Sequence, residues 1–212
     1  MAQRTSLTPY GVCVHTTGRG VPDKALREHR TDVASVALEL YSRPGENFPH
    51  YCIDWGGCIY QIADEQIRAW HVAITLADRA RYWAGSWKTA LDPSAVDLWN
   101  IRWPGVKSPL HLFPSRAPNN DYLGVELIPR MLRERWPYNQ TLFTDAQYAA
   151  LSRLLTDIED RYAITLTGSR LVGHEDISPL TRWDSLGGWD PGALRARPYF
   201  DWSLVSPSTP LS

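Results

Sequence analysis

Two periods alternate along this chain, one of about two residues and one of about 3.6. Tyr10 to His15 is a short, β-branched apolar run bounded by Gly11 and Gly18, which predicts a buried strand. Val33, Val36, Ala37, Leu40 and Tyr41 recur at helical spacing, so a helix is predicted over 33–41, with Thr31 or Asp32 as its N-cap and Pro44-Gly45-Glu46-Asn47 as its stop. His50 to Ile53 and Cys58 to Ile62 straddle Gly56-Gly57 and read as a β-hairpin, followed by a short link from Ala63 to Ala69. Leu123 to Ile128 alternates too little to be an exposed edge strand. Thr144-Asp145-Ala146-Gln147 is a capping box opening a helix to Tyr162, with Tyr148, Leu151, Leu154, Leu155 and Ile158 on one face. Thr165 to His174 leads through a turn into a last strand. Strands and helices thus mix along the chain, which predicts an α/β protein: a single domain, with a central mixed β-sheet flanked by helices.

The interval from 73 to 122 breaks this pattern. It holds Trp83, Trp87, Trp99 and Trp103, a predicted helix from Asp92 to Asn100, and a proline-rich end at Pro104, Pro109, Pro114 and Pro118. It reads as an insert with its own packing cluster, a lid or groove wall, because long irregular segments in compact domains are often functional. The domain is expected to span 1–205, with 206–212 a frayed tail.

Composition narrows the possible partners. A length of 212 residues allows one domain with a substantial core, and 43% apolar with 21% charged residues is ordinary for a soluble protein. A net charge of −1 leaves no electrostatic footprint for nucleic acid or for polybasic membrane attachment. Ten tryptophans are the outlier, and their flat amphipathic rings suit sugar or peptide surfaces as well as cores. Three cysteines make no disulfide framework, so Cys52 and Cys58 are expected as free thiols on either side of the hairpin turn.

Candidate chemistry gathers at strand ends. Leu171-Val172-Gly173 delivers His174 to the rim of a sheet, and Gly11-Val12-Cys13-Val14 delivers His15 in the same way. Asp190 stands in a Pro-Gly turn sixteen residues after His174, where a loop can return it. Two imidazoles and a carboxylate suit a zinc ion. Glu126 lies inside an apolar strand, where a carboxylate is costly unless it is paired or useful. Asp176 reads as a cap, or as an acceptor that fixes a ligand histidine. His50 reads as a structural neighbour of the site.

Four segments carry a resemblance: Val12 to Gly18; His50 to Asp54 through Ala69-Trp70-His71; Leu123 to Leu127; and Gly173 to Ile177 through Asp190-Pro191-Gly192. In that order they resemble the zinc-dependent N-acetylmuramoyl-L-alanine amidases, the group with the T7 lysozyme-like and peptidoglycan-recognition-protein fold. The resemblance implies Zn²⁺ held by His15, His174 and Asp190. Asp184, which stands at the family's usual distance after Pro179, is the alternative third ligand. It implies Glu126 as general base, consistent with Pro49 standing where the other branch of the family has a tyrosine. Gly188 occupies the place of a frequent family lysine, which leaves Arg182 as the nearest cation for the oxyanion. Trp70 and His71 are the expected substrate contacts.

The implied activity is cleavage of the amide between N-acetylmuramic acid and L-alanine, with peptidoglycan or muropeptides as partner. Two other readings compete with it: a muropeptide-binding module on the same fold without catalysis, and a cysteine hydrolase using Cys13 or Cys52. Met1 to Pro9 holds no apolar signal core and no run approaches a membrane span, so synthesis in the cytoplasm is expected, with access to a wall only after release or delivery.

Overall fold

The computed structural model describes residues 8–17, 28, 33–42, 48–72, 118–129, 143–177 and 200–205. Its strands are β1 (Gly11–Thr16), β2 (Tyr51–Ile53), β3 (Ile59–Gln61), β4 (Tyr122–Leu127) and β5 (Leu171–Gly173). Its helices are α1 (Val33–Tyr41), α2 (Pro118–Asp121), α3 (Asp145–Tyr162) and α4 (His174–Ile177). The strands form one sheet in the order β3-β2-β4-β1-β5. β1 pairs in parallel with β4 and β5, and β2 pairs in parallel with β4, while β3 adds an antiparallel edge. The sheet is therefore mixed, as the alternation of elements predicts.

The pleat sorts side chains onto two faces. Val12 and Val14, Tyr51 and Ile53, and Leu123, Val125 and Leu127 turn to one face and pack against Leu151, Leu155 and Ile158 of α3. The intervening positions turn to the other face. There Cys13 and Tyr122 pack with Val72, Val172 and Ile177, and Cys52 packs with Val33, Val36 and Ala37 of α1. His15, Gly124 and Glu126 share this second face by register, since His15 pairs with Glu126 across β1 and β4. Both faces are thus covered by apolar packing, and the second also carries His15 and Glu126.

The long helix is pinned at its start by the predicted capping box. The Thr144 hydroxyl accepts from the Gln147 amide at 3.1 Å, and the Gln147 side chain accepts from the Thr144 amide at 3.1 Å. The same two residues reach beyond the helix. Thr144 Oγ1 donates to the Trp55 carbonyl at 2.9 Å, and the buried Gln147 amide donates to the Ile53 and Ile128 carbonyls at 3.1 and 2.9 Å. These bonds satisfy carbonyls just where β2 and β4 end, which a buried chain needs. Gly57, at φ +80°, lies against the first turn of α3, where a Cβ would stand 2.6 Å from the Ala146 carbonyl oxygen.

The hairpin strands are shorter than predicted. The Asp54 carboxylate takes the Gly56 and Cys58 amides, each at 2.9 Å, so Cys58 belongs to the turn rather than the ladder. The three cysteines are free, Cys13 and Cys52 buried and Cys58 exposed. The predicted helix at 92–100, most of the 73–122 insert, the Thr31/Asp32 cap, the 44–47 stop and the 206–212 tail lie outside the described residues.

Candidate metal centre

β1 and β5 are neighbours, so the residues that leave their C-terminal ends emerge side by side. His15 is the penultimate residue of β1, and His174 opens α4 directly after β5. Both imidazoles are buried. Their Nδ1 atoms face each other at 2.9 Å, with ring centroids 4.5 Å apart and planes at 64°. The turn that presents His174 is held locally, because the Gly173 amide donates to Asp176 Oδ2 at 2.8 Å.

A third histidine stands behind the first. His71 Nδ1 lies 2.9 Å from His15 Nε2, and His71 Nε2 donates to the Tyr122 carbonyl at 3.1 Å. In the neutral ring that leaves His71 Nδ1 as acceptor, so His15 Nε2 carries the proton and His15 Nδ1 presents its lone pair toward His174. Two features fix the His71 ring. The Asn119 side chain accepts from the His71 and Val72 amides at 3.0 and 2.8 Å and donates to the Val72 carbonyl at 2.9 Å. Gly124 leaves room for the ring, since a Cβ there would sit 2.5 Å from His71 Cγ.

His50 is bound differently. Its Nδ1 accepts from the Gly124 amide at 2.9 Å and its Nε2 donates to the Ile67 carbonyl at 3.0 Å, so both ring nitrogens serve the backbone. Glu126 is half-buried and pairs in register with His15 on one side and with Cys52 on the other. Burial first, then the negative charges of Glu126 and Asp54, push the Cys52 thiol well up, which removes it as a thiolate nucleophile.

The donors fit a zinc ion. Two imidazole nitrogens bound at about 2.0–2.1 Å in a tetrahedral shell stand roughly 3.3 Å apart, so the 2.9 Å gap between the two Nδ1 atoms needs to open by only a few tenths of an ångström. Among the described residues, Cys13, His15 and His71 also bring ligand atoms within 4.8 Å of one another. Cys13, however, packs among Val72, Tyr122, Val172 and Ile177, a closed apolar surround that offers no open coordination position.

The chain matches the N-acetylmuramoyl-L-alanine amidase family over residues 5–193. That is most of its length. The chain belongs to this family. It is 37% identical over 91 residues to 1,6-anhydro-N-acetylmuramyl-L-alanine amidase AmpD of Haemophilus influenzae, a match covering 42% of this chain and 39% of that protein. The match thus spans about two fifths of that curated relative's length. Among solved structures, a selenomethionine AmpD derivative aligns with a TM-score of 0.47 at 22% identity, over 93% of this chain and 83% of that one. AmpDh3 of Pseudomonas aeruginosa aligns at 0.47 and 19%, over 89% of this chain and 61% of that one. The amidase LysC of Clostridium intestinale aligns at 0.40 and 16%, over 85% and 83%.

Set beside this amidase family, the residues singled out in the sequence separate into three groups. His15 and His174 come together, with Glu126 on the same sheet face. Trp70 and His71 part company: Trp70 is 51% exposed with the Arg68 guanidinium 4.5 Å above its ring, whereas His71 is 6% exposed behind His15. Asp184, Asp190 and Arg182 lie outside the described residues. Asn119 and the carbonyl of Tyr122 were not anticipated. A glycine inside an apolar strand, Gly124, was the available signal that another group approaches the backbone there.

Proposed function

We propose that this amidase-family chain, as one catalytic domain over 1–205, is a zinc hydrolase. It cleaves the amide between N-acetylmuramic acid and L-alanine in peptidoglycan or a muropeptide. The observation that carries the reading is the convergence of His15 Nδ1 and His174 Nδ1 from adjacent strand ends, in a chain of this family. The third ligand is a carboxylate from the segment after α4: Asp190, with Asp184 as the alternative.

Bound zinc would supply a Lewis acid for the amide carbonyl and lower the pKa of its bound water. Glu126, beside His15 on the same face, takes the proton of the attacking water and returns it to the departing amine of L-alanine. Arg182 stabilises the developing oxyanion. The exposed Trp70 ring offers a flat face to sugar or peptide. The net charge of −1 leaves no electrostatic footprint for nucleic acid. No helix among the described residues is long and apolar enough to cross a membrane.

The test is incubation of the purified chain with sacculi and with soluble muropeptides, reading new L-alanine amino termini. Release from either substrate, abolished by chelator, is expected. Glu126→Gln should keep its zinc and lose about 10²–10⁴ in turnover. Near-normal turnover in that variant removes Glu126 as base. Muropeptide binding with no new amino termini would leave a non-catalytic binding module.

A further inference from the structure

We infer that His71 is a positioning residue that selects which nitrogen of His15 faces the metal. The inference rests on the reading of His15 and His174 as ligands. A histidine can offer either ring nitrogen, and around His15 each has a buried histidine at 2.9 Å: His174 on the Nδ1 side and His71 on the Nε2 side. Two different centres are therefore open to the same ring. What breaks the tie is the far side of His71. The Tyr122 carbonyl can only accept, so His71 Nε2 must donate, and His71 Nδ1 must accept from His15 Nε2–H. The backbone of β4 thus dictates, through two imidazoles in series, that the His15 lone pair lies on Nδ1.

The surroundings hold this chain of bonds in place. Asn119 grips the backbone at 71 and 72 with three hydrogen bonds, and the missing Cβ of Gly124 seats the ring. The His15 and His71 rings meet edge-on, at 89° with centroids 5.0 Å apart, which aims the lone pair of one at the N–H of the other. His50 flanks the assembly with its own nitrogens committed to the Gly124 amide and the Ile67 carbonyl, so it does not compete for His15. Hydrogen-bonded partners behind a metal-bound histidine fix its tautomer and typically carry about 10- to 100-fold in metal affinity.

The two amide-bearing substitutions break the relay at its two different links, and the His15 tautomer separates positioning from packing. His71→Asn keeps an amide near the Nδ1 position, able to turn either its donor or its acceptor end to His15, and gives up the bond to Tyr122. His71→Gln keeps a polar group near the Nε2 position and gives up the bond to His15. On the full chain, nitrogen-15 spectra of the histidine rings before zinc loading should show His15 as the Nε2–H tautomer in wild type, and as a mixture in His71→Asn, which no longer reads the Tyr122 carbonyl. His71→Gln and His71→Leu should show a mixture. Zinc competition against a chromophoric chelator should find His71→Asn, His71→Gln and His71→Leu each about 10- to 100-fold weaker than wild type. Circular dichroism checks that each variant is folded.

An unchanged His15 tautomer in His71→Asn or His71→Leu, or wild-type zinc affinity in either, overturns the inference. So does zinc bound in two equivalents with cysteine-to-metal charge-transfer absorption, which would put a metal between Cys13, His15 and His71. A wild-type chain that binds no zinc sinks the hydrolase reading instead, while the tautomer comparison still decides the role of His71.

Discussion

At the scale of single residues, the site depends on an atom that is missing. Gly124 lies in the middle of β4, in register with Cys13 of β1, and its own amide and carbonyl both bond to His50 just before β2. Added at this position, a Cβ would meet His71 Cγ at 2.5 Å and Nδ1 at 2.7 Å. The strand cannot retreat, and Asn119 holds the backbone that carries His71, so the imidazole has to move, and with it the contact to His15 Nε2. Gly124→Ala is expected to cost about 1–3 kcal/mol of stability, as overpacking of a close-fitted interior does, and to weaken zinc retention as well. Thermal unfolding and metal content of the purified variant measure both. A variant with wild-type melting and full zinc would mean that the His71 ring is not wedged between Gly124 and His15.

At the scale of elements, the link between β3 and His71 is secured from below by one carboxylate. Glu65 is buried and accepts from the Tyr51 hydroxyl at 2.8 Å, the Tyr162 hydroxyl at 2.7 Å, and the Arg161 guanidinium through both of its oxygens. It joins the link to the start of β2 and to the last turn of α3. Burial on its own pushes the Glu65 carboxyl up, but the bonds from Arg161, Tyr162 and Tyr51 outweigh it and hold the group below its ordinary value. The folded pKa is therefore lower than the unfolded one, and the unfolded chain binds the proton more readily. The stabilisation is fully present above the ordinary carboxylate pKa of about 4.3 and is lost as pH falls through the lower folded value. Glu65→Gln should cost about 1–3 kcal/mol at pH 7, and its deficit against wild type should shrink on acidification below about pH 4. Urea unfolding of both proteins at pH 7 and pH 3 checks this, and a deficit that stays constant with pH would mean that the charge of Glu65 is not what matters. The sequence shows why such a contact escapes notice. The hairpin, the capping box at Thr144 and the apolar face of α3 are local patterns, written within a few residues of one another. Glu65 looks like an ordinary acid in a polar link, because Arg161 and Tyr162 are 96 and 97 residues away. His71 was legible as a histidine near the site through its Trp-His context, but not as the partner of His15, because only the register of β4 brings Tyr122 beneath it.

At the scale of the whole molecule, the centre fastens together parts of the chain that are otherwise far apart. His15 and His174 are 159 residues apart, and they meet because β5 is laid beside the interior strand β1 as the outer strand of the sheet. The strand ends that deliver them were readable from the apolar runs preceding each histidine. Their adjacency was not, because strand order is a property of the sheet rather than of either segment. A metal bound across this join stabilises the folded chain in proportion to its affinity, by about 2.7 kcal/mol at a hundredfold excess over the dissociation constant. For a chain of this length that corresponds to a rise in melting temperature of about 5–10 °C. His174→Ala should abolish the rise and lose the metal, and stoichiometric zinc in that variant would reject His174 as ligand. The carboxylates divide the outcome further. With Asp190 as third ligand, Asp190→Asn should flatten the zinc-dependent rise while Asp184→Asn keeps it. The opposite pattern moves the ligand to Asp184, and makes Asp190-Pro191-Gly192 a turn. If each variant keeps the full rise, the third donor is neither carboxylate and the proposed ligand set fails, because two imidazoles by themselves hold zinc too weakly to give a shift of that size.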